Sequence, residues 1–514
     1  DVCSSDLNTY INKRGYVIKK KFLDEKMEKK IKKDLTVKPF CLSDFQQEEK
    51  IFKLYQENEN KLYIPKAYGL KVLGPPVINT LLNMGDDIDI KFTGHLREAQ
   101  MPVIDTFIKA AYKDGGGLVC LGCGSGKTVC GLKIIELLKK KTLIVVHKEF
   151  LLNQWIERIN EFLPQARVGI IQQNKINIDE KDIVIAMLQS ISMKDYPKDL
   201  FDSFGLTIID ECHHLGAEVF SKALPKINSC FMLGLTATPD RKDGMKKVFE
   251  YFLGDIVYCI KGREPEEVLV KIIDYYSIDK QYSEEQFNFK GQINSPRMIN
   301  QISEDPHRII LIINEIILCV KENRKILILS DRRNHLVECK TKIDELNICS
   351  TGFYVGGTKQ IILKETEEKD VILGTYSMAS EGMDIPLLNT VILATPKSDI
   401  EQSVGRILRQ KKEERKEIPL IIDIIDQIPN FIRQSKHRIK HYKKSDYNIN
   451  VCTYPLDKKI NTIITNRKIN TEMSAKTNSK NKCTIELNEF FPDFSESADV
   501  SENLSNEDII NYLS

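Results

Sequence analysis

The sequence predicts two similar α/β domains in tandem, each a parallel sheet with crossover helices. Three observations carry this. Short apolar runs at 118–121, 142–146, 183–188, 206–209 and 231–235 are separated by helix-length segments, the pattern of buried strands that must be crossed over to run parallel. After a charged connector, Lys261 to Glu267, the rhythm restarts with runs at 326–329, 371–373, 391–394 and 419–425. A chain of 514 residues is also too long for one core, so two or three domains are expected. The boundaries expected are a small α+β N-terminal module over 1–90, a first α/β domain over 91–262, a second over 263–450 and a tail over 451–514.

Within the N-terminal module, Gly15-Tyr16-Val17-Ile18 is a strand. Leu23, Met27, Ile31 and Leu35 then recur every four residues as a helical stripe. The other face carries Lys19, Lys20, Lys21, Lys26, Lys29, Lys30, Lys32 and Lys33, either a solvated face or one that contacts phosphates. Phe52–Tyr55 and Leu62–Pro65 around Gln56–Asn60 predict a hairpin. At the far end, 456–482 is rich in Lys, Asn, Thr and Ser, and from Cys483 onward there are eight acidic residues and no basic one. Such composition buries little apolar surface, so a disordered tail is expected, with Phe490, Phe491 and Phe494 as a docking motif or idle.

A net charge of +2 leaves any nucleic-acid surface to local patches. No run approaches the ~18–20 apolar residues of a membrane span and no signal-peptide pattern opens the chain, so a soluble, intracellular protein without a membrane partner is expected. The first residue is Asp, not Met, which leaves the protein's own start open. Thirteen cysteines are scattered; Cys120 and Cys123 have no second pair at zinc spacing, and His213-His214 have no further ligand nearby, so thiols in a reducing compartment are expected rather than a zinc site.

The chemistry centres on Leu121-Gly122-Cys123-Gly124-Ser125-Gly126-Lys127-Thr128. It follows the first apolar run and precedes Val129, Leu132, Ile135 and Leu138 at helical spacing, which is the strand–turn–helix context of a phosphate-binding loop. Glycines let backbone N–H groups and the helix N-terminus face phosphate. Lys127 is expected to reach the β- and γ-phosphates of ATP and Thr128 to join a Mg²⁺ shell. Leu121 stands where the usual pattern has its first Gly. Asp210-Glu211-Cys212-His213 closes the run 206–209, placing Asp210 to hold Mg²⁺ and Glu211 to polarise water. Thr236-Ala237-Thr238 follows the next run, and Gln402-Ser403-Val404-Gly405-Arg406-Ile407-Leu408-Arg409 lies in the second half, where an arginine from another domain can meet the γ-phosphate on closure.

Taken together, in this order and spacing, these motifs resemble those of superfamily 2 helicases over about 91–446. More narrowly, they are similar to the large helicase subunit of the eukaryotic transcription and repair factor and to the transcript-release helicases of poxviruses and other large DNA viruses. Val146-His147-Lys148 with Gln154-Trp155, the stretch 236–244, Ser-Glu-Gly-Met-Asp-Ile-Pro at 380–386 and Ala-Thr-Pro-Lys at 394–397 match the viral group in particular; Leu121 is also what the group carries. Arg241-Lys242-Asp243 departs from the repair subunit's Arg-Glu-Asp.

The resemblance implies two RecA-like domains, with Arg97 and Gln100 reading adenine, Gly382 and Asp384 coupling the second domain to nucleotide, and Lys127, Asp210, Glu211, Gln402, Arg406 and Arg409 as the catalytic set. It implies nucleic-acid contacts at His147, Lys148, Gln189, Ser190, Ser330, Asp331, Arg332, Gly356, Thr375 and Ser377. Trp155 is expected to pack rather than stack on bases. The function implied is an ATP-dependent DNA helicase or translocase linked to transcription, with RNA polymerase or other transcription proteins as partners, in the cytoplasm (a viral factory or virion) rather than the nucleus. An RNA helicase is the alternative within enzymes. The alternative outside them, an ATP-gated clamp with vestigial hydrolysis, has no need of the whole catalytic set.

Overall fold

Val, Ile and Leu so fill the central strands of two large sheets that both faces of each must be covered. The computed structural model describes residues 9–455 apart from 39–50, 84, 123, 198, 212–216, 238–245, 261–265, 278, 382, 384, 386 and 411. The first large sheet has eight strands in the order Lys175–Ile176, Val168–Gln172, Ile183–Met187, Thr142–Val146, Leu206–Ile209, Phe231–Thr236, Gly116–Cys120 and Ile256–Cys259; all run parallel except the first. Helices Met101–Asp114, Lys127–Leu138 and Glu149–Phe162 bury Phe107, Ile134 and Trp155 against one face. The second large sheet is wholly parallel, in the order Thr351–Tyr354, Val371–Thr375, Ile326–Ser330, Thr390–Leu393, Leu420–Asp426, Leu269–Tyr276 and Asn448–Pro455. It too has a core on each face. This is the tandem RecA-like architecture that the sequence predicts.

The other face of the first sheet is covered jointly. Phe220, Phe249 and Phe252 from helices Ala217–Ala223 and Lys246–Leu253 share one core with Ile11, Tyr16, Ile18, Leu62 and Ile64 of the N-terminal segment. Those residues belong to a five-stranded sheet ordered Gln56–Glu57, Lys61–Ile64, Gly15–Lys19, Thr9–Asn12, Ile78–Asn79. Lys66, fully buried, fixes the two layers together: its ammonium donates to the carbonyls of Ser229 and Cys230 at 3.0 and 2.8 Å. Burial pulls its pKa down to about 8.

The hairpin expected around Gln56–Asn60 lies further in: Gln56 and Glu57 pair with Tyr63 and Leu62, while Phe52 and Lys53 pair instead with Val37 and Thr36. Strand Asn448–Pro455 runs past 451, where the tail was expected to begin, because its parallel pairing with Leu269–Tyr276 continues to Pro455. The low-complexity stretch 456–514 lies outside the described residues. Among the described residues, two contacts are seen between the large domains. Phe150 packs partly buried against cores of both, and Lys364 pairs with Glu157 at 2.8 Å. Among the described residues, no helix is long and apolar enough to cross a membrane.

Candidate functional site

Parallel strands put their carboxyl ends on one edge, where ligand sites of open α/β sheets form. Strand Gly116–Cys120 ends there in the phosphate loop. Gly124 and Gly126 adopt φ of +79° and +80°, which a side chain tolerates poorly. A Cβ at Gly126 would also lie 2.1 Å from the Gln100 amide nitrogen. Cys123 lies outside the described residues. Leu121 is buried and donates its N–H to the Thr236 carbonyl at 3.0 Å. The backbone bond prolongs the strand, as a glycine there would also do, while the leucine side chain fills core that a glycine would leave empty.

Lys127 opens the helix Lys127–Leu138 and reaches across the intervening strand Phe231–Thr236 to Glu211, Nζ to Oε1 2.7 Å. Glu211 sits at φ +48°, a strained region for a non-glycine residue. The Asp210 carboxylate holds it there by accepting the Glu211 N–H at 2.9 Å. Asp210 Oδ2 accepts in turn from the indole Nε1 of the buried Trp155, also at 2.9 Å. Burial, then the neighbouring Glu211 charge, raises the Asp210 carboxyl to about 6, against the pull of Lys127 and Trp155. Each Asp210 oxygen accepts one bond and keeps a lone pair, and with the Thr128 hydroxyl this is a hard-oxygen donor set of the kind Mg²⁺ takes.

Gln100 is buried. Its amide accepts from the Arg97 N–H at 2.8 Å and donates to the Ser125 carbonyl at 3.3 Å, while the Arg97 guanidinium donates to the Gly124 carbonyl at 3.4 Å. Both side chains thus brace the phosphate loop from outside. In the second domain, Gln402 and Arg406 follow Ile400 on a short helical segment. Arg406 is buried and donates to the carbonyls of Ala379 and Met383 at 2.5 and 2.9 Å. It grips the loop bearing Gly382 and Asp384, which themselves lie outside the described residues. Arg409 is less buried and lies one turn further on.

The residues matched to nucleic-acid contacts divide in two. Exposed Gln189 follows strand Ile183–Met187 and donates to the His147 carbonyl at 2.7 Å. The Lys148 ammonium lies over the Phe150 ring. Thr375 and Ser377 hydroxyls are 3.3 Å apart, and the Gly356 carbonyl accepts from Arg333. Asp331 pairs with Lys397 at 3.1 Å, and Arg332 is braced by Asn300, the Pro296 carbonyl and its neighbour Asp331. Ser190 and Ser330, by contrast, are buried, as is the His147 side chain. Ser190 accepts from the Gln173 N–H, and Ser330 accepts from the Arg332 N–H and meets His335 Nδ1 at 3.1 Å. As they stand, these two hydroxyls hold loops and present nothing to a strand.

Two basic surfaces are partly neutralised by their own ion pairs. Lys20 and Lys32 both bond to Glu57, and Lys29 to Glu25, so part of the N-terminal lysine face is neutralised within its own module. On helix Pro429–Lys444, Arg438 is buried against Asp423 at 2.9 Å and Arg433 faces Glu285 at 3.6 Å. The sequence placed Trp155 in packing and missed its bond to Asp210, 55 residues away; nothing local signals that distance. His335 beneath Ser330 was missed as well. Its pKa is pushed down to about 3 by burial and by nearby Arg308.

Residues 93–241 match the family model described as Type III restriction enzyme, res subunit. A protein of Acanthamoeba polyphaga mimivirus, described as a candidate ATP-dependent RNA helicase, is 39% identical over 458 residues, 87% of either chain. A candidate ATP-dependent RNA helicase of African swine fever virus is 28% identical over 65% of this chain and 69% of its own. The DNA 3'-5' translocase XPB2 of Sulfurisphaera tokodaii is 30% identical over 64% of this chain and 82% of its own.

Proposed function

The chain belongs to the superfamily 2 helicases, ATP-driven enzymes that include these viral and archaeal relatives, and on that premise we propose that it is a motor that tracks DNA and acts on transcription complexes. The observation that carries the reading is the cluster Lys127–Glu211–Asp210–Trp155 on the carboxyl edge of the first sheet. It couples a phosphate-binding ammonium directly to the carboxylate that acts on water. When a polyphosphate enters the loop, the Lys127 ammonium exchanges Glu211 for phosphate oxygen. Glu211, released from its partner but still fixed by Asp210 through its backbone, is then able to orient the attacking water. Thr128 and Asp210 would hold Mg²⁺, which supplies positive charge to the phosphates. Trp155 keeps the Asp210 carboxylate turned toward the loop. Arg406 and Arg409 would bring the second domain's response, Arg409 toward the γ-phosphate and Arg406 through the loop it grips. Gln100 and Arg97, bonded to the phosphate loop, would transmit adenine recognition to it.

DNA is favoured by the match to the archaeal DNA translocase and by the transcription-linked motif details at 236–244 and 394–397. RNA is the second reading, favoured by the names of the viral relatives. Contacts of either kind go to phosphate and sugar and carry little sequence preference, so binding should weaken steeply with salt. ATP hydrolysis stimulated by duplex DNA, single-stranded DNA and RNA, compared side by side and combined with displacement of a triplex strand from duplex DNA, tests the proposal. Stimulation by RNA alone, with no response to any DNA, refutes the DNA assignment.

A further inference from the structure

The segment between strand Leu269–Tyr276 and helix Pro306–Lys321 of the second domain carries an ordered hairpin that no site residue above uses. Phe287 pairs with Ile293 as an isolated antiparallel bridge. The Asn294 N–H donates to the Gln286 carbonyl at 2.7 Å, and the Asn288 N–H to the Gln292 carbonyl at 2.8 Å. The tip is a β-turn, with the Gly291 N–H donating to the Asn288 carbonyl at 2.9 Å and Gly291 in the left-handed region at φ +72°. The Asn288 side chain locks it by accepting from the N–H groups of Lys290 and Gln292.

This rigid tip displays what solvent-facing turns normally avoid. Phe289 is 92% exposed and Phe287 54%, and the Lys290 ammonium lies over the Phe289 ring at 5.8 Å. The hairpin's foot is tied to the candidate strand-contacting residues. Asn294 caps helix Ser295–Ser303, and Arg332 reaches that helix at the Pro296 carbonyl (2.7 Å) and at Asn300. Ser295 is bonded to Asn430, at the start of the basic helix Pro429–Lys444. At the hairpin's base, reached through Gln286, lies a cavity of about 790 Å³ lined by Glu284, Glu304, Asp305 and Arg297 among others. Its carboxylates disfavour a phosphate there, so what the hairpin offers a strand is an aromatic face with one cation beside it.

An exposed, backbone-locked aromatic with an adjacent cation fits the π-face of an unpaired nucleobase, with the ammonium near its phosphate. The geometry points to the 286–294 hairpin as an aromatic prong on which unpaired bases stack, Phe289 making the contact. This rests on the nucleic-acid reading above and goes beyond it, since paired bases keep their faces stacked on one another. A prong of this kind makes the motor one that meets open strands.

Phe289→Trp supplies the direct readout, because the chain's own single tryptophan, Trp155, is buried. A forked duplex with oligothymidine arms, in a DNA and an RNA version, should quench the new tryptophan, and the same fork with abasic arms should not. Phe289→Ala and Phe289→Leu should both weaken binding of the thymidine fork by roughly 5- to 150-fold, the equivalent of the ~1–3 kcal/mol of a base–aromatic stack, while Phe289→Trp retains it. Equal quenching by the abasic fork, no quenching by a fork that binds the wild-type chain, or full binding by Phe289→Leu would overturn the prong alone; the last of these would make the hairpin an apolar docking point for protein. If the wild-type chain binds none of the forks, the nucleic-acid reading falls, and the prong with it.

Discussion

Replacing Glu211 with Gln should separate nucleotide binding from turnover, in a direction that the Lys127–Glu211 pair dictates. The two side chains are 11% and 15% exposed and 2.7 Å apart. A nucleotide that takes Lys127 must first break this bond. A hydrogen bond between charged groups contributes about 1.5–3 kcal/mol, and residual solvent access discounts that toward ~1–2 kcal/mol. The neutral amide keeps the shape and loses the charge, so most of this competition disappears. Nucleotide should then bind Glu211→Gln about 5- to 30-fold more tightly than the wild-type chain, 1.4 kcal/mol being tenfold. Turnover should fall by ~10²–10⁴, the usual contribution of a positioned base. Equilibrium titration with a fluorescent ATP analogue, alongside steady-state phosphate release, reads both numbers. Weaker nucleotide binding by Glu211→Gln would show that the pair does not compete with phosphate, and near-native turnover would remove Glu211 from the water. Lys127→Ala sets the lower limit, with nucleotide binding lost.

Trp155→Phe keeps the apolar bulk but removes the 2.9 Å donor to Asp210; the Mg²⁺ concentration giving half-maximal ATP hydrolysis should rise about tenfold, given ~1.5 kcal/mol for a bond to a carboxylate, and an unchanged Mg²⁺ dependence would assign Trp155 to packing alone. Arg409→Ala should lower turnover by ~10³–10⁵, the range of an arginine finger, and Arg406→Ala should lower it through the loop that Arg406 holds. Only Arg406→Ala should also lower the melting temperature, because its guanidinium satisfies two buried carbonyls; loss of strand binding with retained hydrolysis in either variant would place that residue in the nucleic-acid track instead. His335, neutral and buried with a folded pKa near 3 against 6.5 unfolded, should make stability fall as pH drops below about 6.5, because the unfolded chain takes the proton first. From pH 7 to pH 5 that amounts to about 2 kcal/mol, read as a loss that Asn in its place abolishes, by denaturant titration at both pH values.

The fold was legible where burial is uniform. Runs such as Thr142–Val146 and Leu206–Ile209 are apolar because both their faces are covered, and their observed ends match the expected ones. Strands Val168–Gln172 and Thr351–Tyr354 alternate buried with half-exposed residues, and short alternating runs look like loops. Asn448–Pro455 is legible only through its partner Leu269–Tyr276, some 180 residues earlier. The phosphate loop and the Asp210-Glu211 pair could be found because their chemistry is local in sequence. What braces the pair could not, since Trp155 meets Asp210 only after folding, and in the second domain Arg406 likewise meets Ala379 only then. The same holds for Arg308 with Asp426 and Arg438 with Asp423, ion pairs with almost no solvent access, which make interior struts of two arginines.

Phe150 belongs to two interiors at once, and this bears on how the cleft can move. A hinge joined only through linkers swings with almost no preferred position. Here separation has to draw an aromatic ring out of one core, and burial of such a ring is worth about 1.5–3 kcal/mol in full, less for a half-buried one. The exposed pair of Glu157, on the same helix as Phe150, with Lys364 of the second domain adds little. Phe150 is therefore expected to favour the joined position of the two lobes, and Phe150→Ala to weaken that preference.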